Sequence, residues 1–210
     1  MNITIIGASA GVGLETVKRA LDRNHNVTTL SRSKINLPSN PNLKMLKGSA
    51  TNKTDLKKAI EKADTVIVAL GTGKSMKPTT LYSDFAKLLV EVQAETNSQI
   101  PFIILTGFGA GESGQYNGFI MKLFFKFLLK DVYADKTKME ELISNSKMKW
   151  EIVRPGLLKD KPLTEKYRVE TKLFTGISIG SINRTDVADF LVKQAEKPTE
   201  LNKYVSLSNN

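Results

Sequence analysis

The chain has 210 residues, 40% apolar and 25% charged, with 31 Lys and Arg against 21 Asp and Glu and a net charge of +10. That length suits one well-packed α/β domain, 1–210, and is short for two. Cysteine is absent and His25 is the single histidine. This excludes disulfides, thiolate metal sites and cysteine nucleophiles, and leaves almost nothing for a histidine-based metal site or a Ser-His-Asp triad, so no metal is expected. No run nears the roughly 20 apolar residues of a spanning helix. The N-terminus carries no leader pattern, so the expected location is cytoplasmic, without membrane insertion. The lysines are scattered and form no basic block with interleaved aromatics. Dispersed surface charge is therefore expected rather than nucleic-acid binding, and local positive charge would help hold an anionic cofactor.

In chain order, Ile3 to Ile6 ("ITII") is the apolar run of a strand buried on both faces. A helix follows from about Val12 to Arg23, with Leu14, Val17, Ala20 and Leu21 at helical spacing. Asn26–Ser31 and Leu43–Lys47 read as the second and third strands, and Thr54 as the N-cap of the next helix. Thr65–Leu70 is a fourth strand, Thr80–Thr96 a long helix and Pro101–Thr106 a fifth strand. Two helical patterns, about 118–130 and 134–144, precede a sixth strand that runs from Lys149 into a Pro-Gly turn at Gly156. Beyond it, Tyr167–Glu170 suggests a short strand, Asn183 to Asp186 a capping box, and Tyr204–Leu207 a closing edge strand. Alternating strands and helices with short connections predict a doubly wound, mostly parallel Rossmann-type α/β sheet.

The first turn, "IIGASAGVGLETVKRAL", places Gly7, Gly11 and Gly13 between a strand and a helix. A dinucleotide site needs glycines there. One makes the tight turn, one lets backbone amides approach a pyrophosphate, and one lets the helix pack closely on the sheet. Read as G-x-x-G-x-x-G, the middle position is Ala10; read as G-x-x-x-G-x-G, all three glycines are present. The second strand ends in "SRSK" and has no carboxylate for a ribose 2′-hydroxyl, whereas Arg32 can fork onto a 2′-phosphate. NADP is therefore expected, with NADPH preferred over NADH. "LGTGKS" at 70–75 imitates a triphosphate-binding loop, but that pattern requires glycine where Val68 stands. The stretch fits better as a turn past the cofactor.

These motifs, with "VIVALG" at Val66 to Gly71, "DKTKMEELI" at Asp135 to Ile143, "WEIVRPG" at Trp150 to Gly156 and "NRTDVADFL" at Asn183 to Leu191, occur in order along nearly the whole chain. Together they resemble the atypical short-chain dehydrogenase/reductases with an NAD(P)H-binding domain. That group includes flavin reductase and biliverdin reductase B-like proteins and nitrogen-metabolite-repression regulator-like proteins. The resemblance implies a cofactor site from Gly7, Ser9, Ala10, Gly11, Val12, Gly13, Arg32, Ser33, Ser49, Ala50, Ala69, Leu70, Gly71, Thr106, Lys136, Arg154, Pro155 and Gly156. It also implies that about 154–182 form a substrate-side elaboration. Many relatives have an Asp near the adenine where this chain has Ser49.

By the same resemblance Lys136 stands in the place of the active-site lysine and holds the nicotinamide ribose. Thr106 ends the fifth strand facing the nicotinamide, and Arg154–Gly156 line that pocket through backbone groups. The tyrosine position, four before the lysine, is Val132. Tyr133 lies one residue, about 100° of helix, away and is expected at the edge of the site. Without the usual proton donor, an acceptor that spreads negative charge is favoured, such as a flavin, a quinone or another conjugated molecule. The alternative is a non-catalytic NADP-binding redox sensor acting through a protein partner. Helix 118–130 is apolar except for lysines every four residues. It reads as a helix packed on the sheet, or else as a substrate wall, a homodimer face or a membrane-surface contact.

Overall fold

Strand and helix alternate because the apolar runs change period, from continuous or twofold in the strands to 3.6 in the helices. The computed structural model describes every residue except 74, 76, 97, 98, 117, 119–124 and 210, and the side chains of 125 and 126. The strands are β1 (Asn2–Ile6), β2 (Asn26–Ser31), β3 (Leu43–Lys47), β4 (Thr65–Val68), β5 (Pro101–Leu105), β6 (Lys149–Pro155), β7 (Leu157–Lys159), β8 (Tyr167–Glu170), β9 (Ser181–Asn183) and β10 (Lys203–Asn209). The α-helices are α1 (Gly11–Asp22), α2 (Lys53–Ile60), α3 (Leu81–Thr96), α4 (Lys130–Ser144) and α5 (Arg184–Glu196). Eight strands form one sheet in the order β3-β2-β1-β4-β5-β6-β10-β8. All neighbours are parallel except β10 and β8. β7 and β9 pair separately and in parallel.

Successive strand residues face opposite sides, and each side buries a core. Ile3, Ile5, Ile67, Ile103, Val153 and Val205 pack under α1 and α5. Ile6, Val66, Val68, Phe102, Ile104 and Ile152 pack under α2, α3 and α4. Each such side chain contributes about 1.5–3 kcal/mol by leaving water. The strand order reverses between β1 and β4, whose carboxyl ends part to leave the crevice where ligands of such sheets bind.

Several expectations need correction. Asn52, not Thr54, caps α2, accepting from the amide of Asp55 at 3.0 Å. β10 is not an edge strand, because β8 pairs along its outer side. The Asn183–Asp186 capping box does not form: no side chain caps α5. Asp186 instead accepts the backbone amides of Thr164 and Glu165 at 2.8 and 2.9 Å, tying 160–165 to the start of that helix. Most of the apolar helix expected at 118–130 lies outside the described residues. Its end, Phe125–Leu129, is a π-helical turn leading into α4.

Candidate functional site

The glycines of the first turn have two jobs. A Cβ on Gly7 would lie 2.5 Å from the Ala69 carbonyl, and one on Gly13 would lie 2.2 Å from the Gly7 carbonyl. Those two are glycines so that β1, β4 and α1 can close together. Gly11 differs: among the described residues, a Cβ there would meet only Arg184 Nε, at 3.8 Å. Its φ of +56° suits glycine, and it begins α1. Ala10 at the N-cap offers no side-chain hydrogen bond, and the first turn of α1 contains no acid. The amides and the positive end of α1 are thus directed past Gly11, the arrangement that binds phosphate. Ser9 is half-buried beside it, and Val12 is in the core.

The other expected cofactor residues ring the same carboxyl edge. Arg32 and Ser33 are exposed where β2 ends, and Arg32 has no ion pair among the described residues. Ser49 donates its amide to Asp55 at 2.8 Å, and Ala50 is buried. So α2 supplies a carboxylate at the turn where the Asp of many relatives is missing. Ala69 is buried against Gly7, and Leu70 and Gly71 follow it into the loop above the crevice.

After β5 the site is made of side chains. Lys136 Nζ donates to the Thr106 carbonyl at 2.7 Å. It lies 5.0 Å from the ring centre of Tyr133 and 5.4 Å from that of Tyr82. A Cβ on Gly107 would be 2.7 Å from the Tyr133 hydroxyl and 3.6 Å from Lys136 Nζ. The two polar atoms therefore converge on the backbone just past β5, as a pair three residues apart on one helix face can. Val132, in the expected tyrosine position, is buried in the core instead. Asp135 fixes this arrangement. It accepts the amides of Tyr82 and Ser83 at 2.8 and 3.3 Å and so locks the start of α3 to α4.

Burial pushes Lys136 down to about 8, against the opposing pull of Glu140. Burial first, then Tyr82 and Glu140, push the Tyr133 phenol up to about 12. Tyr133 is thus a neutral donor beside a lysine that gives up its proton more readily than usual.

Two of the expected contact groups have partners within the protein. The Thr106 hydroxyl does not face the crevice; it is buried and donates to Glu140 Oε1 at 2.6 Å. Only its carbonyl serves Lys136. The backbone of Arg154–Gly156 is largely committed elsewhere: the Pro155 carbonyl accepts from Phe108 at 2.9 Å, and the Gly156 amide donates to Leu207 at 2.9 Å. The Arg154 side chain is only 1% exposed. It forks onto Glu140, with Nε and Nη2 at 3.1 and 2.7 Å, and onto Glu112, with Nη1 and Nη2 at 2.7 and 3.0 Å. Sequence reasoning missed Glu140, Glu112 and Gly107. Only Glu140 had a visible signal, its position one helical turn beyond Lys136.

A doubly wound parallel sheet with a glycine turn opening its first helix is an architecture suited to binding a dinucleotide. The chain belongs to the NAD(P)H-binding family, whose model matches residues 7–198. The protein called probable pinoresinol-lariciresinol reductase 3, from Arabidopsis thaliana, is 26% identical over 225 residues, covering 98% of this chain and 67% of its own. Among solved structures, a candidate NADH-flavin reductase from Streptococcus pneumoniae matches with a TM-score of 0.80 at 23% identity, covering 100% of both chains. A short-chain dehydrogenase/reductase from Veillonella parvula, in complex with NADP, matches with a TM-score of 0.81 at 16% identity, over 99% of this chain and 94% of that one. Among the described residues no helix is long and apolar enough to cross a membrane.

Proposed function

We propose that the protein is an NADPH-dependent reductase that delivers hydride to a conjugated acceptor such as a flavin or a quinone. The observation that carries the cofactor half is the uncapped start of α1 opening past Gly11, with an exposed Arg32, without an ion pair among the described residues, at the end of the neighbouring strand. The α1 amides would hold the diphosphate, Arg32 the 2′-phosphate, and Lys136 the nicotinamide ribose. The nicotinamide, when bound, supplies the hydride. What this chain adds is placement, exclusion of water, and a neutral phenol at Tyr133.

The acceptor half rests on the rim. Phe127 is 74% exposed and Leu157 62%, with Leu128 beside Phe127. Phe127 and Leu128 immediately precede α4, and Leu157 follows β6. Exposed apolar side chains there would give the acceptor a mouth suited to a flat, apolar partner. Segment 154–182, which contains β7 and β8, forms the substrate-side part of this mouth. The flavin in the name of the pneumococcal neighbour is an acceptor of this kind.

Calorimetry with NADPH and NADH, followed by NADPH oxidation against flavins, quinones and aldehydes, tests the reading. NADPH should bind at least tenfold tighter than NADH, since a charge-assisted contact contributes about 1.5–3 kcal/mol. Arg32→Ala should remove most of that ratio. Equal affinities in the wild type would overturn the preference for NADPH. Tight binding with no turnover of any acceptor would indicate a redox sensor.

A further inference from the structure

We propose that Arg184 is a cofactor-binding residue, a guanidinium that closes on the dinucleotide diphosphate from the side opposite the α1 amides, and that Asp160 holds it in place until the cofactor arrives. The inference rests on the NADPH reading above. Within 4 Å of a Cβ on Gly11, among the described residues, stands only Arg184 Nε, at 3.8 Å. The one glycine of the turn that is not packed against protein is therefore faced by an arginine.

The topology explains how it gets there. α1 follows β1, and α5 follows β9 and leads into β10; β1 and β10 run in the same direction through the sheet. The two helices pack side by side on one face, so both begin at the carboxyl edge. Arg184 is the first residue of α5, next to the first residue of α1. Its guanidinium can reach an anion sitting on the α1 amides, and its planar fork matches phosphate oxygens.

Arg184 already has a partner, and that partner is exchangeable. Nη1 donates to Asp160 Oδ1 at 2.7 Å. The Asp160 side chain is 87% exposed and that of Arg184 28%. An ion pair so open to water contributes little, and a diphosphate offers more charge and more oxygens than one carboxylate. Asp160 cannot drift far when released. The Thr185 hydroxyl holds the Lys161 carbonyl at 2.9 Å, and Asp186 holds the amides of Thr164 and Glu165. Asp160 is thus a tethered carboxylate that competes with the cofactor for the same guanidinium.

Competition predicts opposite signs for the two partners. By calorimetry, Arg184→Ala should weaken NADPH binding at least tenfold, and Arg184→Lys should lie between it and the wild type. Asp160→Asn removes the competitor and should tighten NADPH about two- to fivefold. The loss in Arg184→Ala should be much smaller for 2′,5′-ADP, which keeps the 2′-phosphate but lacks the nicotinamide-side phosphate of the diphosphate. A pair that only staples 160–165 to α5 would give weaker binding in both Arg184→Ala and Asp160→Asn, and that result would overturn the proposal. So would an Arg184→Ala protein that binds NADPH as the wild type does, or one that loses both ligands equally. If the wild type binds no NADPH at all, the cofactor reading itself fails. The proposal fails alone when the wild type binds and the variants do not separate.

Discussion

Two glutamates are buried beside β6, and their surroundings are opposite. Glu140, on α4, is 2% exposed and accepts from the Thr106 hydroxyl and twice from Arg154. Glu151, in β6 itself, is 0% exposed, and among the described residues neither of its carboxylate oxygens has a hydrogen-bond partner. Glu140 lies at the carboxyl edge and ties Thr106, whose carbonyl holds Lys136, to Arg154. Glu151 lies toward the other end, where the charges acting on it are Glu200 and Lys203. A buried carboxylate surrounded by donors orders its neighbours. One without donors holds its proton and contributes nothing that its volume would not. One end of the sheet is organised around charge, and the other tolerates it.

The largest expected effect comes from breaking the satisfied site. Arg154→Met removes the guanidinium from between Glu140 and Glu112 and leaves Glu140 buried without its ion-pair partner. Removing one partner of a buried pair costs about 3–5 kcal/mol. Urea unfolding should show a lower midpoint with an unchanged slope. A loss under about 1 kcal/mol would mean that Glu140 is not held by Arg154 and that the contrast with Glu151 is false. Combining Arg154→Met with Glu140→Gln should recover part of the loss, because the unpaired charge goes with it.

The unsatisfied site should respond in the opposite direction, and only with pH. Burial, then Glu200, push Glu151 up to about 8, with Lys203 opposing, from an ordinary 4.5. Below the lower value both folded and unfolded chains carry the proton, and stability is complete. As pH rises toward 8 the unfolded chain ionises and the folded one does not, so stability falls. Glu151→Gln keeps the shape and cannot ionise. It should match the wild type near pH 5 and exceed it by about 4 kcal/mol at pH 9, since the gap between 4.5 and about 8 is worth 1.36 kcal/mol per unit and most of it opens above pH 5. A difference that is flat between those two pH values would show that Glu151 is solvated.

The same contrast separates what the sequence discloses from what it conceals. The doubly wound sheet is legible because its strands are apolar runs and its helices keep their period. The glycine turn is legible because backbone geometry demands particular residues at particular spacings. Lys136 is singled out by resemblance. The partners of Arg154 are not, because Glu112, Glu140 and Arg154 come from three separate elements and their meeting depends on tertiary packing. β7 and β9 are hidden for another reason. At three residues each they are too short for a period to show, and their pairing is set by the chain's path. The inward turn of the Thr106 hydroxyl to Glu140 is likewise not legible, because it too depends on tertiary packing.

Tyr133 gives the smallest expected effect and the most informative one. Its hydroxyl and Lys136 Nζ meet over Gly107, so the pair has the proximity of a proton donor and its lysine without the usual spacing of four. Proximity is not the same as use. The phenol holds its proton to about 12, and a conjugated acceptor spreads the charge that hydride brings, so solvent can protonate it later. With a flavin or quinone, Tyr133→Phe should lower kcat less than about tenfold, or roughly 1.4 kcal/mol of barrier. With an aldehyde the developing alkoxide is localised, and general acid help is typically worth about 10²- to 10⁴-fold. The variant should therefore lose far more turnover on any aldehyde the wild type accepts, and widen the preference for conjugated substrates. A drop of about a thousandfold with flavin or quinone would make Tyr133 the obligatory donor. In that case the displaced spacing is a working substitute for the usual one, and the case for a conjugated acceptor rests on the apolar rim alone.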